Sequence, residues 1–526
     1  MIAFILAMIL LVGGATAAVA EPISATIAAA LITAGVNASI AAVAASIVTS
    51  VVLSVGISLA ASLFQSSRGN TGFSSETSGV NSAESRYTSR QSIPFKRDIL
   101  GSAFVGGASA FEEFKAPYFY QLLLVHEGRA AGCDRVWAGS NELSLSSIVP
   151  DAALTPLAVS GQPDYPSRVK IALRYGEDDQ VIDPIIGADF TSIGAEFRQR
   201  GITTATFRSH IGATQDEYVS LYGNVPRPNY YMLWRGDPAY DPRDPTQDID
   251  DENTWKWTNN ASLLQIFYVT RSWGGRIPMS MIDWDKVAEA ADYDDELVGV
   301  AAGGFIKRYT IDGMVTRNQR PYDVMVQLLT ANRGMLLQAG GKVWVTSSKP
   351  RTPIATIHDG VLASGIKYRD AKPKREQVNK LQCRFVASEQ DYQTVDGPIL
   401  VRSDLIALDG ETLTSTLDLP FTLDHRRAQR LQKTFLETAR LGKTITCRVD
   451  VTWLADLDDE PIGNAITFYS DLFPIANGTY LCTSSAFAED FTAIELALTE
   501  YSAAIETDWD ADADEQEFTL ADLDVS

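Results

Sequence analysis

The chain has 526 residues, of which 45% are hydrophobic and 21% charged, with a formal net charge of −22. Those proportions exclude wholesale disorder, a collagen repeat and a coiled-coil rod, and the length suits two to four folded domains. The acidity argues against sequence-specific nucleic-acid binding, which needs clustered Lys and Arg, and four cysteines over this length are not a disulfide framework.

The charge is unevenly placed. Residues 2–67 carry a single charged group, Glu21. Residues 506–526 carry nine acids and no Lys or Arg, and without them the net charge is −13.

The N-terminus opens as a dense apolar run, Ile2 to Val12, which includes Ile5 and Leu10. Ala18-Val19-Ala20 before Glu21 has the small-residue pattern of a signal-peptidase site, although no Lys or Arg precedes the run. A second uncharged stretch follows from Pro22 to Ser67. Leu31, Val36, Ile40, Val43, Ile47 and Val51 recur at intervals of three to five and form a candidate helical face. Interspersed Ala and Gly would let such helices approach closely. Three readings stay open for residues 1–67: an anchor or cleaved signal, a helical plug buried in an oligomer, or a segment that enters a membrane only at a functional moment. A Ser/Gly/Thr-rich linker, 68–93, separates this arm from the rest.

From Pro94 the texture changes to short strands with turn signals. Tyr118–His126 reads as a strand buried on both faces, and Arg135–Ala138 as a strand closed by a turn at Gly139. Lys170–Tyr175 and Thr204–Arg208 alternate. Three X-Pro bonds between Arg235 and Pro245 forbid regular structure, so this stretch is an ordered loop or linker. Trp255 and Trp257 close it and favour docking against a surface.

Helices come next. Leu263, Leu264, Phe267 and Tyr268 share a face. Asp283 suits the cap of a helix that carries Val287, Ala288 and Ala291. Pro321 suits a first helical position ahead of Val324, Leu328 and Leu329. A hairpin is expected around Gly340-Gly341. Leu381–Val386 and Thr444–Val451 read as strands, the latter with Cys447 in the core. Asp424 suits the cap of a helix that carries Ala428, Leu431, Phe435 and Ala439, with Gly442 as its stop.

Sites of chemistry fail one by one. The histidines 126, 210, 358 and 425 have no metal-ligand spacing, and Cys133, Cys383, Cys447 and Cys482 form no CxxC pair. His126 and Cys133 are the only sequence-local Cys–His pair, and a thiol inside a strand reads as core. Gly442-Lys-Thr444 lacks the earlier glycine of a phosphate loop and runs from helix to strand, the wrong order. Asp508 to Asp514 has alternate acids like a calcium loop, but Ala513 and Thr519 stand where Gly and Glu are needed. A solvated acidic tail is the simpler expectation. No catalytic residue, metal ligand or cofactor is nominated.

The order of several blocks resembles a known family. Gly101-Ser-Ala-Phe-Val-Gly-Gly107, Tyr120–His126, Val136–Gly139 and Phe197–Gly201 come first. Arg235-Gly236, Asp241-Pro-Arg-Asp244 and Trp257–Ala261 follow, then Arg308–Gly313, the Pro321 helix, the Gly340-Gly341 hairpin, Val378–Gln382 and the Arg426–Arg440 helix. Over roughly residues 93–500 this resembles the N-terminal hub of the central tail-fibre (host-specificity) proteins of lambda-like siphophages. The resemblance implies a homotrimeric, non-enzymatic tail-tip hub of the virion. Such a hub closes the tail tube, docks on the distal tail protein ring, holds the tape-measure protein and carries the receptor-binding or central fibre protein. Family members usually continue for hundreds of residues beyond the hub; this sequence stops at Ser526, so receptor recognition is expected on another protein.

The combined expectation is an α+β chain of several β-rich domains with mixed sheets and packed helices, behind an apolar helical arm. Its parts are the arm 1–67, linker 68–93, a β-rich domain 94–235, α+β domains 236–360 and 361–505, and the acidic tail 506–526. Arg235, Asp241, Arg243, Asp244, Trp255 and Trp257 are candidates for a subunit contact or an intrachain latch. The arm is expected to plug the hub lumen or to enter the host membrane during DNA ejection. An acidic lumen would repel DNA phosphates during passage. The rival readings are a tail-associated cell-wall hydrolase and an exported envelope protein that begins at Glu21 after cleavage.

Overall fold

The protein is described here by a computed structural model that covers residues 94–518, except 391, 456, 458, 489 and 490. The arm, with Ile5, Leu10, Leu31, Val36, Ile40, Val43, Ile47 and Val51, and the linker lie outside the described residues.

The first β region holds two antiparallel sheets. One has five strands in the order Ala108–Lys115, Tyr118–Glu127, Ile202–His210, Val169–Tyr175 and Ala153–Leu154. The other has four: Ser102–Val105, Tyr230–Arg235, Gly132–Ala138 and Asn141–Glu142. Strand 118–127 is buried on both faces over Tyr120–Leu123, as its largely apolar run suggests, with Gln121 buried among them. Strand 230–235 alternates strictly and turns Tyr230, Met232 and Trp234 inward. These meet Leu123, Val136, Ile171, Leu173 and Phe207 in one core. The Phe207 and Tyr230 rings stack at 3.7 Å.

The second region packs helices on small sheets. Helix Ala261–Thr270 is capped by Asn260, whose side chain accepts from Leu263 N. It is buried all round from Ala261 to Val269, not along one face, because neighbours enclose it on every side. Asp283 caps Trp284–Asp295 through Lys286 N. That helix buries Val287, Ala290 and Ala291; Ala288 falls at the rim. Pro321 is the first residue of Pro321–Thr330. The hairpin Met335–Ala339/Lys342–Thr346 turns at Gly340 and Gly341, with φ of +57° and +77°, a geometry that favours glycine at both positions.

The same core continues into a three-stranded sheet, Gln393–Val401, Lys380–Ala387 and Thr414–Leu419. The first pair is antiparallel and the second parallel. Helix His425–Arg440 lies across it, capped by Asp424, with Ala428, Leu431, Phe435 and Ala439 inward. It ends on an extended Leu441, and Gly442 is not a left-handed cap. Gly442 serves close approach instead: a Cβ there would stand 3.0 Å from Ala371 Cα.

The third region is a six-stranded mixed sheet in the order Pro353–Ile357, Ala465–Phe468, Gly478–Phe487, Ala493–Glu500, Thr444–Asp450 and Lys367–Arg369. Cys447 packs with Val449, Phe468 and Leu496 in its core. Val451, expected at the end of strand 444–450, opens the short helix Val451–Ala455. The architecture is thus α+β with several mainly antiparallel and mixed sheets. No described helix is long and apolar enough to cross a membrane.

Candidate functional site

A dense polar cluster sits where strand 97–100 threads between its neighbours. Arg97–Leu100 pairs antiparallel with Gly313–Thr316, over two hundred residues away in sequence. Two glycines allow the crossing. A Cβ on Gly101 (φ +66°) would come 2.0 Å from Ile311 O, and one on Gly236 would come 1.9 Å from Ile99 O. Gly236 N donates to Gly101 O at 2.8 Å, and Trp257 Nε1 donates to the same oxygen at 3.0 Å.

Beside this crossing lies a buried ionic knot. Asp98 is fully buried and accepts twice from Arg317, at 2.7 Å from both Nε and Nη2. Burial pushes the Asp98 carboxyl up, against the opposing pull of Arg317. Ile99 N–H donates to His126 Nδ1 at 3.1 Å, and His126 Nε2 stands 3.1 Å from Asp237 Oδ2.

Asp98, His126 and Asp237 bring one ligand atom each within 4.8 Å of one another, so a metal ion must be considered. The hydrogen bonds exclude one. A metal on Nε2 would put the imidazole proton on Nδ1, where it would face the Ile99 N–H. Both Asp98 oxygens are also taken by Arg317. The cluster fits a knot in which the Asp98–Arg317 ion pair ties strand 97–100 to the end of strand 313–316, and His126 bridges Ile99 N–H and Asp237 in the loop after Arg235.

The six residues singled out from the Pro-rich loop are committed within the chain. Arg235 pairs with Asp134 at 3.0 Å, with its guanidinium 5.8 Å from the Trp257 ring. Asp241 binds Arg243 through both oxygens, at 2.8 Å each. Arg243 also reaches Asp292 at 3.0 Å and Asp295 at 2.9 Å, and so ties the loop to helix 284–295. Burial works against the Arg243 charge, but the three carboxylates outweigh it and its pKa moves up. Asp244 pairs with Lys256 at 2.7 Å, which with Thr246 holds its carboxyl well below the usual range. Trp255 is buried, donates to Asp248 O at 2.7 Å and carries the Arg271 guanidinium 5.1 Å above its ring. Within the chain, ion pairs and two indole donors thus tie this loop to helix 284–295, to Asp134 and to Gly101.

The four cysteines are buried and free. Burial pushes the thiols of Cys383, Cys447 and Cys482 up to about 12, and that of Cys133 up as well, so none offers a thiolate at neutral pH. His126, engaged at both ring nitrogens, is not a base for Cys133.

Over residues 506–518 the acidic tail keeps Asp508, Asp510, Asp512 and Glu517 exposed, as expected, and is in addition strapped along helix 425–440. Glu506 is buried and binds Arg333 and Ser348. Lys433 meets Asp514 at 2.7 Å. Gln429 and Gln516 exchange two hydrogen bonds, at 3.0 and 2.8 Å. Phe518 packs on Phe385 and His425, with ring centroids 5.4 and 5.5 Å apart. Asp510 spends its side chain on Asp512 N, and Asp514 on Lys433, so the alternate acids do not converge on a cation. The available sequence signal was complementarity: a lone Phe518 in an acidic run, opposite a helix that carries Lys433.

No protein-family model and no curated protein sequence matches the chain. Its fold does have solved counterparts. A chain from the virion of a native gene transfer agent particle superposes with a TM-score of 0.56 at 17% identity, covering 89% of this chain and 95% of that one. A tail protein from Neisseria meningitidis MC58 gives 0.30 at 11% identity, covering 79% and 95%. The 43 kDa tail protein of prophage MuSo2 from Shewanella oneidensis gives 0.29 at 9%, covering 78% and 95%. The last two overlap too loosely to support an argument. The first establishes that this chain and a component of a gene transfer agent virion share one fold over nearly their whole lengths.

Proposed function

We propose that the protein is a structural component of a phage-like tail, and within it the hub at the tail tip. The observation that carries this reading is the shared fold with a virion chain over 89% of the residues. The ordered sequence blocks from Gly101 to Arg440, which resemble a tail-fibre hub, point the same way. A latch of ion pairs, buried thiols and a threaded first strand suit a scaffold that resists force better than a site that turns over substrate.

In this reading three copies surround the tail axis and close the tube. They dock on the distal tail protein ring, hold the end of the tape-measure protein and carry the receptor-binding or central fibre protein. The apolar residues 1–67 plug the lumen or enter the host membrane during ejection. The test is light scattering on the full-length protein, alone and with the distal tail protein. A trimer mass in either sample supports the hub. A strict monomer in both overturns it. For the arm, liposome leakage induced by full-length protein should fall when residues 1–67 are deleted; unchanged leakage removes the membrane role.

A further inference from the structure

Strand 465–468 leads into loop 469–476, which reverses the usual order of inside and outside. Ser470 and Ala476 have no solvent exposure. The large apolar residues face water instead: Leu472 is 74% exposed, Ile475 64%, Tyr469 52% and Phe473 44%.

The loop backbone is held in this shape by hydrogen bonds. Asp359 accepts from Ser470 Oγ at 2.6 Å and from Asp471 N at 2.9 Å. Asn477 Oδ1 accepts from Ser470 N at 2.7 Å, and Ser470 Oγ accepts from Phe473 N at 3.0 Å. Tyr480 Oη donates to Ala476 O at 2.7 Å. A backbone pinned in this way cannot fold its apolar side chains back into the core.

The four side chains open on the order of 400 Å² to solvent, the size at which an apolar patch marks an interaction surface. A stable interface between separate proteins takes about 800 Å² per partner, so the patch is too small to hold a free protein or a second copy by itself. A second copy would also bring another net charge of −22. A segment tethered to the same chain needs less area, because tethering raises its effective concentration to about the millimolar range and lowers the cost of association.

The chain supplies such a segment. Residues 22–67 contain no charged group, and their candidate face of Leu31, Val36, Ile40, Val43, Ile47 and Val51 needs cover from water as the loop does. An uncharged segment sets no like charge against Asp471, the single charged residue of the loop. Residues 68–93 join the segment to Pro94 and can span roughly 90 Å, more than the width of a compact fold of this length.

We propose that residues 22–67 dock on loop 469–476, with Leu472, Phe473 and Ile475 as the contact. Docking there does not require the hub reading and describes the segment before any trigger acts.

The test uses the full-length protein with Leu472 replaced by the photoreactive p-benzoylphenylalanine, irradiated and mapped by mass spectrometry. Cross-links to residues 22–67 support the proposal. Cross-links only to the loop of an isotopically distinct second copy, only to added phosphatidylcholine vesicles, or only within residues 94–526 overturn it. Limited elastase digestion gives a second readout, since elastase cleaves after the small residues that fill 22–67. Leu472→Ser combined with Ile475→Ser should speed cleavage within 22–67 several-fold, whereas Leu408→Ser, at another exposed leucine, should not. Equal rates in the double variant and the wild type overturn the docking. Both replaced side chains are exposed, so urea midpoints should stay at the wild-type value. The oligomer mass that decides the hub leaves both readouts unchanged, so either reading can fail without the other.

Discussion

Replacing Arg317 by Met isolates the ionic knot. The methionine keeps an apolar stem beside Trp273, whose ring centroid lies 5.0 Å from the guanidinium, and removes both hydrogen bonds to Asp98. Asp98 is then a carboxylate with no solvent exposure and no cation. Breaking one side of a buried pair costs about 3–5 kcal/mol, and the lost cation–π contact adds about 0.5–1 kcal/mol. The pH dependence has a definite sign. Burial already holds the Asp98 pKa above its ordinary value with Arg317 present, and removing the arginine raises it further. The deficit therefore grows as pH rises through the folded-state pKa and shrinks in acid, where Asp98 takes up a proton. Urea unfolding followed by tryptophan fluorescence, near neutrality and at about pH 5, reads both effects. Asp98→Asn supplies the double-mutant cycle, with a coupling of about 2 kcal/mol or more. A cost below about 1 kcal/mol at both pH values would show that the pair behaves like an exposed salt bridge and would refute the knot.

Further outcomes follow from other particulars. Gly236→Ala should be unable to hold the strand crossing, because its Cβ would meet Ile99 O at 1.9 Å, whereas Gly194→Ala, with open space around it, should stay within about 0.5 kcal/mol; soluble yield and urea midpoints compare the two. Asp294 is fully buried on Ser262, Ser347 and Asn332, and burial pushes its pKa up to about 6. The folded state holds that proton more tightly than the unfolded chain, so stability falls as pH rises from about 4 to about 6, by about 3 kcal/mol. Asp294→Asn should flatten this part of a urea-midpoint profile; an unchanged slope counts against the assignment. Lys433→Ala combined with Phe518→Ala should release the strap, read as faster proteolysis within residues 506–518; equal cleavage rates in variant and wild type would show that the strap is not held by these groups. Trp257→Phe keeps the ring but loses the donor to Gly101 O, and should cost about 1 kcal/mol by urea unfolding.

Local chemistry was legible in the sequence because the signals act over a few residues. Asp283 and Asp424 do cap their helices, Pro321 does open one, and Gly340-Gly341 does turn the hairpin. The largely apolar stretch at 120–125, broken only by Gln121, and the strict alternation of 444–450 indicated which faces are buried. Long-range pairing was not legible. Nothing in Arg97–Leu100 announces Gly313–Thr316 as its partner, and nothing in Thr414–Leu419 announces a parallel neighbour. Helix 261–270 shows how a pattern underdetermines burial: its apolar face was visible, but Ser262 and Gln265 are buried as well, on Asp294, Asn332 and a helix carbonyl. The ionic knot was hidden because His126 looked like one more strand residue; only the fold brings Asp98 and Asp237 to it. The strap along the tail was not legible because a run of acids normally seeks water, as Asp508, Asp510 and Asp512 do, and the basic counterpart of Asp514 lies some eighty residues earlier.

The central claim is that this chain closes a phage-like tail. Cryo-electron microscopy of purified particles carrying the protein tests it most directly. Three copies should surround the axis at the tail tip, with residues 94–518 fitting the density and the ring partner above them. Particles whose tail tip lacks density for this chain, or that contain none of it, would contradict the account.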